Sequence, residues 1–347
     1  MGSYGVDLFF VLSGFLIGGI LLDCQSSPTY FRTFYLRRFH RIFPLYYVWL
    51  GLYVVLALSA FHHLPTSIQM TWSGWRPVLV YALFAQNMVS KSLQGISGAW
   101  LGPPWSLAVE EQFYLLMPLA VRFLPKRRLV QLLVATTVLS PVLRVAFSKW
   151  THAAQYTATP LRADALAMGV LLALALREEG WAERIKQNLK WLYATIGALS
   201  VGVLGLVAWP KAPIGYPDHV WALTCMELFF AAIILLALMQ PYGWWAHFCD
   251  LIALRKLGGI SYCVYVIHFA VSTICQAILH SLYGQRAAGV DFVSLVVASG
   301  ITLALAKISW VYLESPMIRS GHAYRYYPEQ FIKQQSGQHP RETSLSV

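Results

Sequence analysis

Residues 5–23 read Gly5-Val-Asp-Leu-Phe-Phe-Val-Leu-Ser-Gly-Phe-Leu-Ile-Gly-Gly-Ile-Leu-Leu-Asp23. No charged residue lies between Asp7 and Asp23. A helix rises about 1.5 Å per residue, so this run can cross a hydrocarbon core about 30 Å thick. Runs of the same kind follow at 42–61, 106–124, 129–148, 161–177, 190–209, 220–240, 258–282 and 290–313. They are continuous rather than alternating, which points to helices and away from a β-barrel. Bulk composition agrees: 57% of the 347 residues are hydrophobic and 12% charged, against about 25% charged in soluble domains. Mean hydropathy is positive. The expectation is an all-α, polytopic membrane helix bundle with nine spans. A shorter apolar piece, 78–89, contains Gln86 and Asn87. It is too short to span and reads as re-entrant or interfacial.

The net charge of +11 raises nucleic acid as a partner, but its placement argues for a lipid bilayer instead. With 24–41 in the cytoplasm and nine alternating spans, only Arg76, Lys91, Lys149, Lys211 and Arg286 fall outside. Arg144, Arg162 and Lys307 fall inside spans, and every other Lys and Arg is cytoplasmic. That asymmetry satisfies the positive-inside rule. It sets a multi-pass protein in the cell's inner (plasma) membrane, N-terminus outside and C-terminus cytoplasmic. The outer segment 62–105 carries Trp72, Trp75, Trp100 and Trp105, residues that rest at the interface. Residues 1–318 read as one membrane domain, and the polar stretch 319–347 as a disordered cytoplasmic tail. The five cysteines are scattered without a CxxC, so neither a disulfide framework nor a metal site is expected.

Ionisable groups inside spans are costly and therefore candidates for function. Pro103-Pro104-Trp105-Ser106 opens the third span, with Ser106 able to cap it. Glu110 and Glu111 follow one turn inside, and Tyr114 lies one turn below Glu110. The helix dipole would favour a carboxylate there. Two adjacent acids point in different directions, however, so the dipole accounts for one at most. The eighth span carries Ser261, Tyr265, His268, Ser272 and Gln276 on one face, flanked by Tyr262. That face is expected to look into the bundle or a wet cavity. His268 reads equally as a functional group or as a hydrogen bond between helices. Asp7, Gly14 and Gly18 share a side of the first span, a flat surface suited to a close partner helix. Arg162 and Asp164 open the fifth span and can be read as an interfacial ion pair. Glu314-Ser315-Pro316 reads as the stop of the last span. Arg38 and Arg41, three apart before Pro44, would share a face if helical. Guanidinium groups grip phosphates by forked hydrogen bonds, while positive-inside charge explains part of the cluster with no ligand.

These pieces, in this order, resemble the acyltransferase 3 family of membrane acyltransferases. The match lies in Gly5-Val-Asp-Leu-Phe-Phe-Val-Leu-Ser-Gly-Phe15, Arg38-x-x-Arg41 before Ile42-Phe43-Pro44-Leu45, and Trp105-Ser-Leu-Ala-Val-Glu110-Glu111-Gln112-Phe113-Tyr114. It continues through Arg162-Ala-Asp164, Gly259-Ile-Ser261-Tyr262 to His268, and Glu314-Ser-Pro316. The first and third blocks are specific as strings. The resemblance implies transfer of an acyl group, acetyl above all, from cytoplasmic acyl-CoA to a hydroxyl of an extracytoplasmic carbohydrate or glycolipid. No permanently bound cofactor is implied; acyl-CoA is the donor substrate. Two other readings are a catalytically dead, truncated member and a transporter or flippase of a glycan precursor. Against the transporter stands the lack of an inverted repeat.

The family pattern places one more helix before the Gly-Val-Asp block, giving a ten-helix fold. That helix carries an Arg and, about three turns on, a His essential for activity. Met1 stands four residues before the block, so that first transmembrane helix is not in this sequence. It is expected to pack against the Asp7–Gly14–Gly18 side. The resemblance gives its His the base role, with Glu110, Glu111 and His268 as the candidates present here. Arg38 and Arg41 are expected to hold CoA phosphates. Asp7, Ser13, Trp105, Ser106, Tyr114, Arg162, Asp164, Ser261, Tyr262 and Tyr265 are expected to line the substrate cavity.

Overall fold

A computed structural model describes residues 4–59, 76–88, 100–147, 157–208, 217–284 and 289–327. Every regular element among them is a helix. The order is α1 (Tyr4–Asp23), α2 (Tyr30–Ser59), α3 (Arg76–Ala82), a 3-10 turn at Gln86–Met88, α4 (Trp105–Phe123) and α5 (Lys126–Ala146). A second 3-10 turn at Thr159–Leu161 leads into α6 (Ala163–Ala175), followed by α7 (Trp181–Gln187), α8 (Leu189–Ala208) and α9 (Pro217–Met239). Last come α10 (Trp244–Cys249), α11 (Ile252–Tyr283), α12 (Val290–Ser309), a π-helical turn at Trp310–Glu314 and α13 (Ser315–His322).

Each of the nine expected spans falls on a helix. Among the described residues, six helical stretches are both long and apolar enough to cross a membrane: 5–23, 30–56, 126–146, 221–239, 252–283 and 290–322. The molecule is a multi-pass membrane protein. Large apolar side chains such as Leu115, Leu116, Val138, Leu139, Phe292 and Val296 remain accessible along the bundle exterior, as a lipid-facing surface requires.

Three boundaries differ from expectation. Helix α2 begins at Tyr30, so Arg38 and Arg41 stand on a helix rather than in a loop; Pro44 lies inside it. The fifth span is not a full span. Helix α6 has 13 residues, roughly 20 Å of rise, and sits in the middle of the bundle with ten of them buried. Glu314-Ser315-Pro316 does not stop the last span either. Pro316 directly follows the π-helical turn, and the chain stays helical to His322. Helix α13 therefore runs across the domain boundary placed at 318. Residues 328–347, and with them most of the expected tail, lie outside the described residues, as do Trp72 and Trp75.

The flat glycine side of α1 is already occupied. A Cβ at Gly14 would collide with the Leu166 carbonyl, one at Gly169 with the Val11 carbonyl, and one at Gly18 would lie 3.0 Å from Val170. Small residues thus let α1 and α6 approach backbone to backbone. This corrects the expectation that another helix would use that side.

One end of the bundle is tied together across many loops. Arg177 pairs with Asp23 at 2.6 Å, Lys126 with Glu178, and Arg122 donates to the Gln25 carbonyl. Ser27 donates to the Tyr326 carbonyl, so the α1–α2 loop and the end of the described chain share this side. Near the other end, α3 and the Gln86–Met88 turn fold back into the bundle. Phe84 takes φ 52° and stacks on Tyr46 at 4.3 Å. The reversal delivers Gln86 and Asn87, both buried, to α4: Gln86 Nε2 donates to the Pro104 carbonyl at 2.9 Å and Gln112 Nε2 to Asn87 Oδ1 at 2.9 Å.

Candidate active site

Helix α4 starts at Trp105 because two prolines precede it and Pro104 takes the cap position. Ser106 does not cap it. Its hydroxyl lies 2.6 Å from that of Tyr265. Tyr265 spends its proton on the Pro103 carbonyl, which leaves Ser106 as the donor between them. One turn on, Glu110 is buried. Its Oε1 accepts from Ser13 Oγ at 2.6 Å and from the Tyr114 hydroxyl; the two hydroxyls are 2.8 Å apart. Ser13 comes from α1, so a helix–helix contact and the third block of the sequence pattern meet at one carboxylate.

Glu111 points elsewhere. Its Oε1 is buried with no hydrogen-bond partner. Arg38 lies in the same region, with its guanidinium 5.6 Å from the Tyr114 ring centre and its Nε buried and likewise unpartnered. The charges of Arg38 and Arg41 act on Glu110, and that of Arg38 also on Glu111. No ion pair to Arg38 or Arg41 occurs among the described residues. Buried polar groups in native proteins nearly always have partners, and Arg144 Nε, Arg162 Nε and Glu227 Oε2 are left over in the same way; what sets Arg38 and Glu111 apart is that neither is engaged in an ion pair among the described residues and that Arg38 borders a cavity. Tyr262 stands close by, donating to the Ile42 carbonyl at 2.8 Å and feeling Glu110, Glu111 and Glu314.

At the tied end, Arg37, Arg38 and Arg41 line a cavity of about 130 Å³ with Ile20, Ile318, His322 and Tyr326. That is room for a phosphate group. Burial pushes the Tyr326 phenol up to about 12, so it is a neutral donor at physiological pH.

Other expected cavity residues stand apart. Arg162 pairs with Asp7, and Arg144 grips Asp164 with two hydrogen bonds at 3.1 and 2.5 Å. Glu227 lies 3.5 Å from Arg162 and 3.8 Å from Arg144. All five are buried, and Thr224 accepts from Arg144 at 2.8 Å. Arg162 and Asp164, read as an interfacial pair with each other, are instead buried and take their partners from other helices, Asp7 and Glu227 for Arg162 and Arg144 for Asp164. Glu227 was not singled out in the sequence, although it is the only charged residue between Asp218 and Gln240 and the rule on ionisable groups in spans applies to it. Arg144 was noticed without a role.

The polar stripe of α11 is split: Tyr265 turns to Ser106 and Pro103, whereas Ser261, His268 and Gln276 are exposed. The buried residues of that helix are Cys263, Val266, Ile267, Ala270, Val271 and Cys275. His268 is exposed, and its Nδ1 lies 2.8 Å from the Tyr265 carbonyl of its own helix. Ser261 is exposed and donates to the Gly258 carbonyl at 2.8 Å. Periodicity places such residues on one face without saying which way that face turns. Trp105 packs edge-on against Phe10 at 6.1 Å. Glu314 was read as a stop residue. It is buried in a π-helical turn, accepts from Ser309 at 2.8 Å and lies in the field of Arg41.

A helical membrane bundle with a buried carboxylate and a basic mouth at one end defines a class of membrane domain. The acyltransferase-domain family Acyl_transf_3 matches residues 1–310, and the chain belongs to that family. It is 26% identical over 350 residues to the O-acetyltransferase OatA of Staphylococcus aureus strain NCTC 8325, covering 94% of this chain and 55% of that protein. OatA of strain MRSA252 matches with the same figures. The chain thus spans about half the length of these relatives. No solved structure matches.

Proposed function

We propose that this chain is a membrane O-acyltransferase domain that moves an acyl group, acetyl by the likeness to OatA, from acyl-CoA to a hydroxyl of a carbohydrate or glycolipid. The donor enters at the basic end, which the positive-inside rule assigns to the cytoplasm; the acceptor is served from the opposite side. The reading rests on one observation: Arg38 and Arg41 line a cavity, in the field of Glu110, with no ion pair of their own among the described residues.

The chemistry follows from the residues. Arg38 and Arg41 hold donor phosphates at the mouth by forked hydrogen bonds. The acceptor oxygen attacks the thioester carbonyl; the carbon–sulfur bond breaks, and the hydroxyl proton ends on the departing thiolate. A carboxylate within the site serves as the station for that proton or orients the base that takes it. Glu111 has the free oxygen for this. Glu110, with Oε1 already engaged by Ser13 and Tyr114, fixes the geometry. Tyr262 stands beside them, fixed by its hydrogen bond to the Ile42 carbonyl.

The test is acetyl transfer to a carbohydrate acceptor by the protein in lipid nanodiscs, with Glu111→Gln and Glu110→Gln beside it. Both should lose at least tenfold in turnover while still binding acetyl-CoA. Unchanged turnover in both would remove the carboxylates from the reaction.

A further inference from the structure

The matched family region ends at residue 310, yet the chain beyond it returns to the basic mouth. We propose that residues 322–327 form a strap that builds the second half of the anion socket, so that a phosphate-bearing donor is held between α2 and the strap rather than by α2 alone. This rests on the reading of the basic mouth as the donor's phosphate site.

The strap is latched through its backbone. The hydroxyls of Ser27, Thr29 and Thr33 serve the carbonyls of Arg325 and Tyr326, and Arg37 Nε donates to the Tyr324 carbonyl at 2.9 Å. Gly321 lets this end close on α2, since a Cβ there would lie 3.0 Å from the His40 side chain. Because the latch uses carbonyls, the side chains of His322 and Tyr326 are free to line the cavity. Arg37 works on both sides: its Nε holds the strap, its guanidinium lies 5.1 Å from the Tyr326 ring centre, and it borders the cavity. A socket with arginines on one wall and His322 and Tyr326 on the other brings donors to both sides of an anion. A ligand bound between the two walls must also stabilise the latched strap, because binding energy for one state shifts the population toward it.

The experiment uses the full chain in nanodiscs, with coenzyme A as the probe. Ser27→Ala/Thr29→Val, which unlatches the strap without touching the cavity, should weaken coenzyme A binding about tenfold. His322→Ala should weaken it several-fold. In the unchanged protein, coenzyme A should slow tryptic cleavage after Arg325, a readout independent of any variant's folding. If Arg38→Lys/Arg41→Lys weakens binding while the strap variants bind like the parent and Arg325 gains no protection, the strap is overturned and the mouth stands. If Arg38→Lys/Arg41→Lys leaves binding unchanged, the phosphate reading itself falls.

Discussion

Two groups of arginines lie in this bundle under opposite conditions. Arg144 and Arg162 are buried among Asp7, Asp164 and Glu227 and are tied to them directly. Arg38 and Arg41 sit on α2 beside a cavity and beside Glu110 and Glu111, yet make no ion pair among the described residues. An arginine in a membrane is expensive in either case. Where carboxylates surround it, the cost is met inside the protein and the group serves the fold. Where it opens on a cavity instead, as half-buried Arg38 and exposed Arg41 do, its donors are left for a ligand. The sequence pattern places Arg162-Ala-Asp164 and Arg38-x-x-Arg41 on an equal footing; only their partners separate scaffold from site.

The sharpest way to break this contrast is to remove a scaffold arginine. Arg144→Leu leaves Asp164 and Glu227 facing each other in the core. Loss of one partner from a buried ion pair costs about 3–5 kcal/mol, so the variant should fail to accumulate or should unfold far below the parent in a detergent thermal melt. A parent-like melt would mean that the network is not what holds α5, α6 and α9 together.

Next in size is Gly14→Leu. Overpacking costs about 1–3 kcal/mol, and here the obstacle is the Leu166 backbone, which cannot turn aside as a side chain would. A lower melting midpoint is expected, with the double variant Gly14→Leu/Leu166→Ala no better, since the clash is with main chain. Recovery in the double variant would mean that the side chain of Leu166 sets the contact.

Much of this was legible in the sequence. Long uncharged runs give the helices away, since lipid permits few other solutions, and Ser13, Glu110 and Tyr114 do meet. What pattern could not give was direction. The α11 stripe has helical spacing, but only Tyr265 of it reaches α4, while the side with Cys263, Val266 and Ile267 is the buried one; in lipid, polarity alone does not force a face inward. Helix α6 was hidden for another reason. Its composition is that of a span, and only the 3-10 turn at Thr159–Leu161 and the loop after Ala175 shorten it. The counter-ions of Arg162 lie 155 and 65 residues away in sequence, beyond any local pattern.

Smaller effects sharpen the contrast from the site's side. Ser13→Ala or Tyr114→Phe removes one donor from Glu110. Each should cost about 0.5–1.5 kcal/mol of stability and lower turnover while leaving acetyl-CoA affinity in place, as separate kinetic and binding measurements can show. Smallest is His268→Ala. An exposed side chain bonded only to its own helix should shift stability by less than about 0.5 kcal/mol. A large loss of turnover from that change would return His268 to the site.

The central claim is that unpaired arginines mark the ligand site. Arg38→Lys/Arg41→Lys keeps both charges and removes the forked geometry. Isothermal titration with acetyl-CoA, read beside the thermal midpoint of the same sample, tests it directly. Affinity should fall at least tenfold with the midpoint unchanged. Unchanged affinity, or a midpoint that falls as far as that of Arg144→Leu, would put these arginines with the scaffold and contradict the account.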